Sequence, residues 1–220
     1  MKPRKAVRSH LGHVSFYMAT AYNAFDPLQA KERFGGRLYE TLIRALTPGD
    51  REWALKIVRG WGADFVVSRG RKIFAADLPG FCAISPSGER VGFATYEVVD
   101  DQCQMVTLHA FVPFVGIGTR LVEAVRTAAI DNGCHRLWLI TTNDNVDALR
   151  FYQRRGFSLV AVHRGLRDEA RRLKPEIPIV GAYGIPIRDE VELEMRLRPR
   201  TDQGCRGERT VRREDGLDQS

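Results

Sequence analysis

The sequence lacks most of the features that would settle its class at a glance. It has four cysteines, Cys82, Cys103, Cys134 and Cys205, with no C-x-x-C pair and no cysteine–histidine spacing of a metal site. That argues against both a disulfide scaffold and a structural zinc centre. Three of the four lie inside apolar segments, where a small buried thiol is the ordinary expectation. A reducing, cytoplasmic setting is the compartment this implies. No apolar run reaches the ~18 residues that a membrane helix needs. The basic start is interrupted by Arg8, His10, Gly12 and His13 and makes a poor signal peptide. Internal repeats and low-complexity tracts are absent too, which leaves out solenoid and fibrous architectures.

What remains is a chain of 220 residues, 44% of them hydrophobic, enough for one domain with extensions. The formal net charge of +7 raises nucleic acid as a partner, so its location matters. Residues 1–36 carry six Lys or Arg against two acids, and residues 198–220 carry six Arg against five acids. Only +2 is left for residues 37–197, so the excess sits mostly in the ends and argues against a nucleic-acid footprint. Three regions follow: a poorly ordered or partly helical extension (1–36), a folded domain (37–197) and a disordered, charged tail (198–220).

Within the folded region the pattern predicts strands first. Leu38 to Leu46 reads as a strand, then Thr47 caps a helix with Pro48 at its first position, and Trp53, Ile57 and Trp61 share one face. Phe65–Val67 is a short strand. Phe81–Ile84 turns through Pro86-Ser87-Gly88 into Val91–Val99, which leads through Asp100-Asp101 into Cys103–Val112. A glycine loop at Gly116-Ile117-Gly118-Thr119 then opens a helix with Leu121, Val122, Val125, Ala128 and Ala129 at helical spacing. Gly133 ends it, and Leu137–Thr142 follows as a strand. Further on, Leu159–Val162 reads as a strand, Gly165–Leu173 as a helix, and Val191–Leu197 as an exposed edge strand able to pair two subunits in a homodimer. Glu192 and Glu194 are expected on its solvent face. Strands followed by alternating strands and helices predict a mixed α/β sheet with helices on its faces.

A glycine loop that opens a helix presents backbone N–H groups and the positive end of the helix dipole, a good place for a diphosphate. Downstream, Asn145, Ala148, Phe151, Tyr152, Gly156 and Phe157 stand in the pattern N-x-x-A-x-x-F-Y-x-x-x-G-F. With these two motifs at this separation, the sequence resembles the GNAT acetyltransferase superfamily. The resemblance runs from about Leu38 to Leu197. The segment RRLKPEIPIVGAYGIPIRDE is also similar to a set of bacterial GNAT proteins and places Arg188, Asp189 and Glu190 near the acceptor end.

The resemblance implies a GNAT fold: a mixed, mostly antiparallel sheet, two splayed central parallel strands (Cys103–Val112 and Leu137–Thr142) and helices on both faces. It implies acetyl-CoA as donor, CoA as product, and a primary amine of a small molecule or protein as acceptor. The cofactor would be held by Phe111, Val112, Val115, Gly116, Ile117, Gly118, Thr119, Arg120, Asn145, Ala148 and Tyr152. Tyr152 would be the general acid toward the departing thiolate, while Glu97 and His109 are the candidates for the base. No metal is implied. The loop departs from the family at Pro113-Phe114-Val115, which adds neither glycine nor charge, and proline has no N–H. Weakened cofactor affinity is the expectation, with Arg120 offsetting part of the loss. The rival reading is a non-catalytic acyl-CoA-binding sensor with a degenerate loop.

Overall fold

A computed structural model describes residues 41–113 and 115–198. The expected helix around Leu28–Phe34, Leu38 and the two charged ends lie outside the described residues. The elements are β1 (Leu42–Ala45), α1 (Arg51–Arg59), β2 (Val66–Ser68), β3 (Arg71–Ile73), β4 (Gly80–Ile84), β5 (Arg90–Val99) and β6 (Gln102–Ala110). They continue with α2 (Ile117–Asp131), β7 (Arg136–Thr142), α3 (Val146–Gln153), β8 (Ser158–His163), α4 (Leu166–Leu173) and β9 (Glu190–Arg196). Seven strands form one sheet in the order β1-β4-β5-β6-β7-β9-β8, antiparallel except between β6 and β7. The hairpin β2–β3 stands apart as its own small sheet.

Two cores explain the layering. On β5, Phe93 and Ala94 are adjacent and so face opposite sides of the sheet. Ala94 joins Leu121, Val122, Val125 and Ala129 of α2 and Ala148 and Tyr152 of α3. Phe93 joins Ala54 and Val58 of α1, together with Trp61 and Val66. The sheet thus carries α2 and α3 on one face and α1 on the other. Before α1, Thr47 does meet Asp50 as a cap: its N–H and hydroxyl both donate to the Asp50 carboxylate. The capped turn is a short 3-10 segment, Pro48–Asp50, and the α-helix proper starts at Arg51.

The central strands match the expected pattern, with two extensions of detail. The helix after the glycine loop begins at Ile117, two residues earlier than Thr119. Strand β3 was not anticipated, because Arg71 and Lys72 give it no apolar run. One expectation is overturned. The strand read as an exposed edge, Val191–Leu197, is β9, and it lies between β7 and β8 with partners on both sides. Glu192 is therefore not on a solvent face: it is 5% exposed, ion-paired to Arg136 and hydrogen-bonded to the His163 ring at 2.8 Å. Glu194 is likewise paired to Arg136 at 2.6 Å. The sheet edge on this side is β8, where Leu159, Val160 and Val162 are exposed.

Candidate functional site

The site starts where two strands stop pairing. Strands β6 and β7 are in register over only three pairs, Gln102↔Arg136, Cys103↔Leu137 and Gln104↔Trp138. Next to that point β6 contains one residue too many: Met105 pairs with Tyr96 and Thr107 with Thr95, which leaves Val106 without a counterpart on β5. Such a bulge bends its strand, while β7 is held straight by β9 along its whole length. The two strands diverge. Met105–Leu108 and Leu139–Thr141 become the walls of a narrow slot of about 20 Å³, closed by Trp61 and Tyr152. The strand edges that face the slot have backbone donors and acceptors with no ladder partner across it.

Near the end of β6 lies the start of α2. Gly116 precedes the helix with φ of +85°, a left-handed conformation that glycine adopts without strain. It offers no side chain to cap the helix, so the first-turn N–H groups of Ile117, Gly118 and Thr119 have no side-chain cap among the described residues. Gly118 is small for a different reason. A Cβ there would stand 3.2 Å from Phe151 Cζ, so the position serves close packing of α3 on α2. Arg155, which follows α3, reaches this same helix end. Its Nε donates to Thr119 Oγ1 at 2.9 Å, Nη1 donates to the Phe151 carbonyl at 2.7 Å, and its guanidinium lies 3.4 Å from the Phe151 ring centre.

Comparison with known proteins identifies this arrangement. The sequence model of the acetyltransferase (GNAT) family matches residues 52–157. The uncharacterized protein YdhI of Bacillus subtilis is 45% identical over 133 residues, which are 60% of this chain and 82% of that one. The chain belongs to the GNAT acetyltransferase family. A second Bacillus subtilis relative of this GNAT protein, the uncharacterized protein YxbD, is 38% identical over 135 residues, covering 60% of this chain and 84% of that one. Among solved structures it is similar in fold to an IAA acetyltransferase of Bacillus cereus (TM-score 0.57, 18% identity, 71% of this chain and 99% of that one). A Bacillus subtilis acetyltransferase in complex with CoA shares that fold at TM-score 0.53 and 18% identity, over 71% of this chain and 99% of that one.

The expected cofactor residues of this GNAT protein divide into two groups. Gly116, Ile117, Gly118 and Thr119 line up at the open helix end, and Tyr152 stands in the slot wall. The others are occupied by the protein itself. Val112 and Ala148 are buried in the core, Val115 packs against it, and the Phe111 ring lies 4.6 Å from His109. The Arg120 guanidinium donates to the Thr41 carbonyl. Asn145 is buried and caps α3, accepting from the Ala148 N–H at 3.1 Å. Asn143 accepts from the N–H groups of Arg188 and Asp189, and Asp144 accepts from that of Ala182. Both tether the loop between α4 and β9.

Neither expected base stands in the walls of the slot. Glu97 sits opposite Gln104 and is held by Arg71 at 2.9 Å. His109 is packed among Trp61, Phe93 and Phe111, with ring centres 4.6–6.4 Å away. Burial there pushes its pKa down to about 4, so it is neutral and weakly basic rather than poised near neutral pH. Tyr152 goes the other way: burial raises its phenol far above the usual value, with Arg155 opposing slightly, and it keeps its proton.

Sequence reasoning missed Arg155, Thr141 and Arg167. Arg155 occupies an unspecified position of the F-Y-x-x-x-G-F pattern, so the motif itself could not flag it. The Thr141 hydroxyl and the Arg167 Nε are buried without a hydrogen-bond partner among the described residues, and no sequence signal marks an unfilled donor.

Proposed function

We propose that this protein is an acetyl-CoA-dependent N-acetyltransferase acting on a primary amine. The observation that carries this reading is the slot between β6 and β7, with the uncapped end of α2 beside it and Tyr152 in its wall. The donor is acetyl-CoA. Its diphosphate accepts from the N–H groups of Ile117, Gly118 and Thr119, with Arg155 supplying a positive charge at the same helix end. The pantetheine arm lies in the slot, where its amides meet the unpaired backbone edges as an added strand would.

The amine nitrogen attacks the thioester carbonyl carbon, forming the C–N bond, and the C–S bond then breaks to give the amide and CoA thiolate. The ammonium proton is lost to solvent, and the thiolate takes its proton from solvent. A phenol whose pKa is raised by burial is too weak an acid to give its proton away fully. Tyr152 therefore acts as a hydrogen-bond donor that stabilises the departing sulfur. The catalytic domain occupies residues 37–197 in a cytoplasmic protein, and a second copy of the chain pairs along β8.

The sensor reading has one observation in its favour: the slot walls hold no carboxylate and no histidine. Calorimetry with acetyl-CoA, followed by thiol release across a panel of amines, separates the two. Binding with amine-dependent thiol release is expected. Binding without release from any amine would favour the sensor, and no binding at millimolar acetyl-CoA would sink both readings.

A further inference from the structure

A second cleft adjoins the slot and shares Val106, Ile140 and Thr141 with it. Its remaining walls come from the hairpin strand β2, from Gln104, from Thr142 of β7 and from Arg167 of α4. We propose that this cleft binds the carboxylate of the acceptor, so that the substrate is a small amino-carboxylic acid with its amine directed to the slot. This rests on the acetyltransferase reading above and names the class of molecule that the enzyme takes.

The argument begins with Arg167. It is 3% exposed and its Nη1 is already engaged, at 2.9 Å from Glu190 and 3.4 Å from the Val67 carbonyl. Its Nε–H is buried with no acceptor among the described residues. An unfilled donor on a buried guanidinium costs free energy unless a ligand supplies the acceptor. The Nε edge of a guanidinium is a fork that matches a carboxylate with two parallel hydrogen bonds.

The surroundings supply a further donor. Gln104 Nε2 donates to Ser68 Oγ at 2.9 Å, which leaves the Ser68 hydroxyl proton to point elsewhere. Glu190 is saturated by Arg167 and by the backbone N–H of Arg69 at 2.9 Å. A carboxylate entering the cleft supplies the acceptor that the Arg167 Nε lacks, in the paired geometry the fork matches; an alcohol or an ammonium does not.

The test uses matched pairs: β-alanine against 3-aminopropanol, and 4-aminobutanoate against 4-aminobutanol, with acetyl-CoA as donor. The expected result is a kcat/KM at least tenfold higher for each acid, falling toward parity in Arg167→Lys, which keeps the charge opposite Glu190 but removes the fork. Equal rates within the pairs, or a preference for the amino alcohols, would overturn the proposal while leaving the acetyltransferase reading intact. If no amine is acetylated, that reading fails instead, and a chemical-shift titration of the wild-type protein with β-alanine decides the carboxylate site. Shifts confined to Ser68, Gln104 and Arg167 support it, and none at tens of millimolar refute it. The titration and the wild-type pairs need no variant, so an unstable Arg167→Lys protein would not rescue the idea.

Discussion

Tyr152 and Arg155 lie three residues apart yet serve different parts of the donor. Tyr152 is 4% exposed, with its ring 5.2 Å from Phe151 and 5.3 Å from Phe157, so its position is set by packing on both sides. Removing only its hydroxyl leaves that packing in place. Tyr152→Phe is expected to lower kcat by about 10²-fold, the low end of what removing one hydrogen-bond donor to developing charge costs. The KM for acetyl-CoA should move little. Because the phenol does not titrate in the working range, the loss should be the same from pH 6 to 9; a loss that shrinks as pH rises would mean that Tyr152 is ionising and giving up its role as donor. Arg155→Gln tests the other end of the donor. A charge-assisted hydrogen bond is worth about 1.5–3 kcal/mol, so CoA binding should weaken by about 10–100-fold. Pantetheine, which lacks the diphosphate, should bind the variant and the wild type alike in calorimetry, and an equal loss for both ligands would place Arg155 away from the diphosphate.

At the scale of elements, much of the chain was legible and the exceptions share a cause. Strands β4, β5 and β6 and helix α2 were readable because apolar spacing and turn residues such as Pro86-Ser87-Gly88 act locally. Strand β9 was found but given the wrong place in the sheet. Its alternation of Glu with Val, Leu and Met looks like one wet face, yet Glu190 and Glu192 are buried under Arg136, Arg167 and His163. Partners that far apart in sequence leave no periodic trace. The open helix end was visible in Gly116-Ile117-Gly118, whereas the bulge at Val106 that opens the slot depends on strand pairing and left no mark. The loop between α4 and β9 gives a test at this scale. A Cβ on Gly181 would stand 1.9 Å from Asp144 Oδ2, the atom that accepts the Ala182 N–H. Gly181→Ala must therefore break that tether, and a loss of about 2–3 kcal/mol is expected in urea unfolding. Gly70→Ala is the control for space, since a Cβ there meets nothing within 4 Å. It should cost only its backbone strain, about 1–2 kcal/mol.

Over the whole molecule, buried ionisable groups set how stability varies with pH. On the acid side two groups act in sequence. The folded state holds the pKa of His109 at about 4, against ~6.5 when unfolded. The unfolded chain thus binds the extra proton between these values, and stability, fully present above pH ~6.5, is lost as pH falls toward 4. Asp50 takes over below that. The Arg44 guanidinium, with Thr47 and Arg90, holds its carboxyl well under the usual range, so its contribution is present above pH ~3.9 and is lost as acid protonates it. On the alkaline side burial pushes the Cys82 thiol up to about 11 and Cys103 up to about 12. Both keep protons that the unfolded chain gives up near pH ~8.5, so stability falls again above that value. Lys174, held down to about 8 by burial, opposes this part of the fall. The expected profile is a plateau between pH ~6.5 and ~8.5 with a slope on either side. His109→Phe fits the aromatic surroundings of the ring and should remove up to about 3 kcal/mol of the fall between pH 6.5 and 4. It should leave the steeper loss below pH 4, which belongs to Asp50, in place. Urea unfolding of both proteins at half-unit intervals reads this directly. Parallel curves from pH 6.5 to 4 would mean that His109 takes up its proton in the folded protein without cost, and that the aromatic cluster does not exclude water from it.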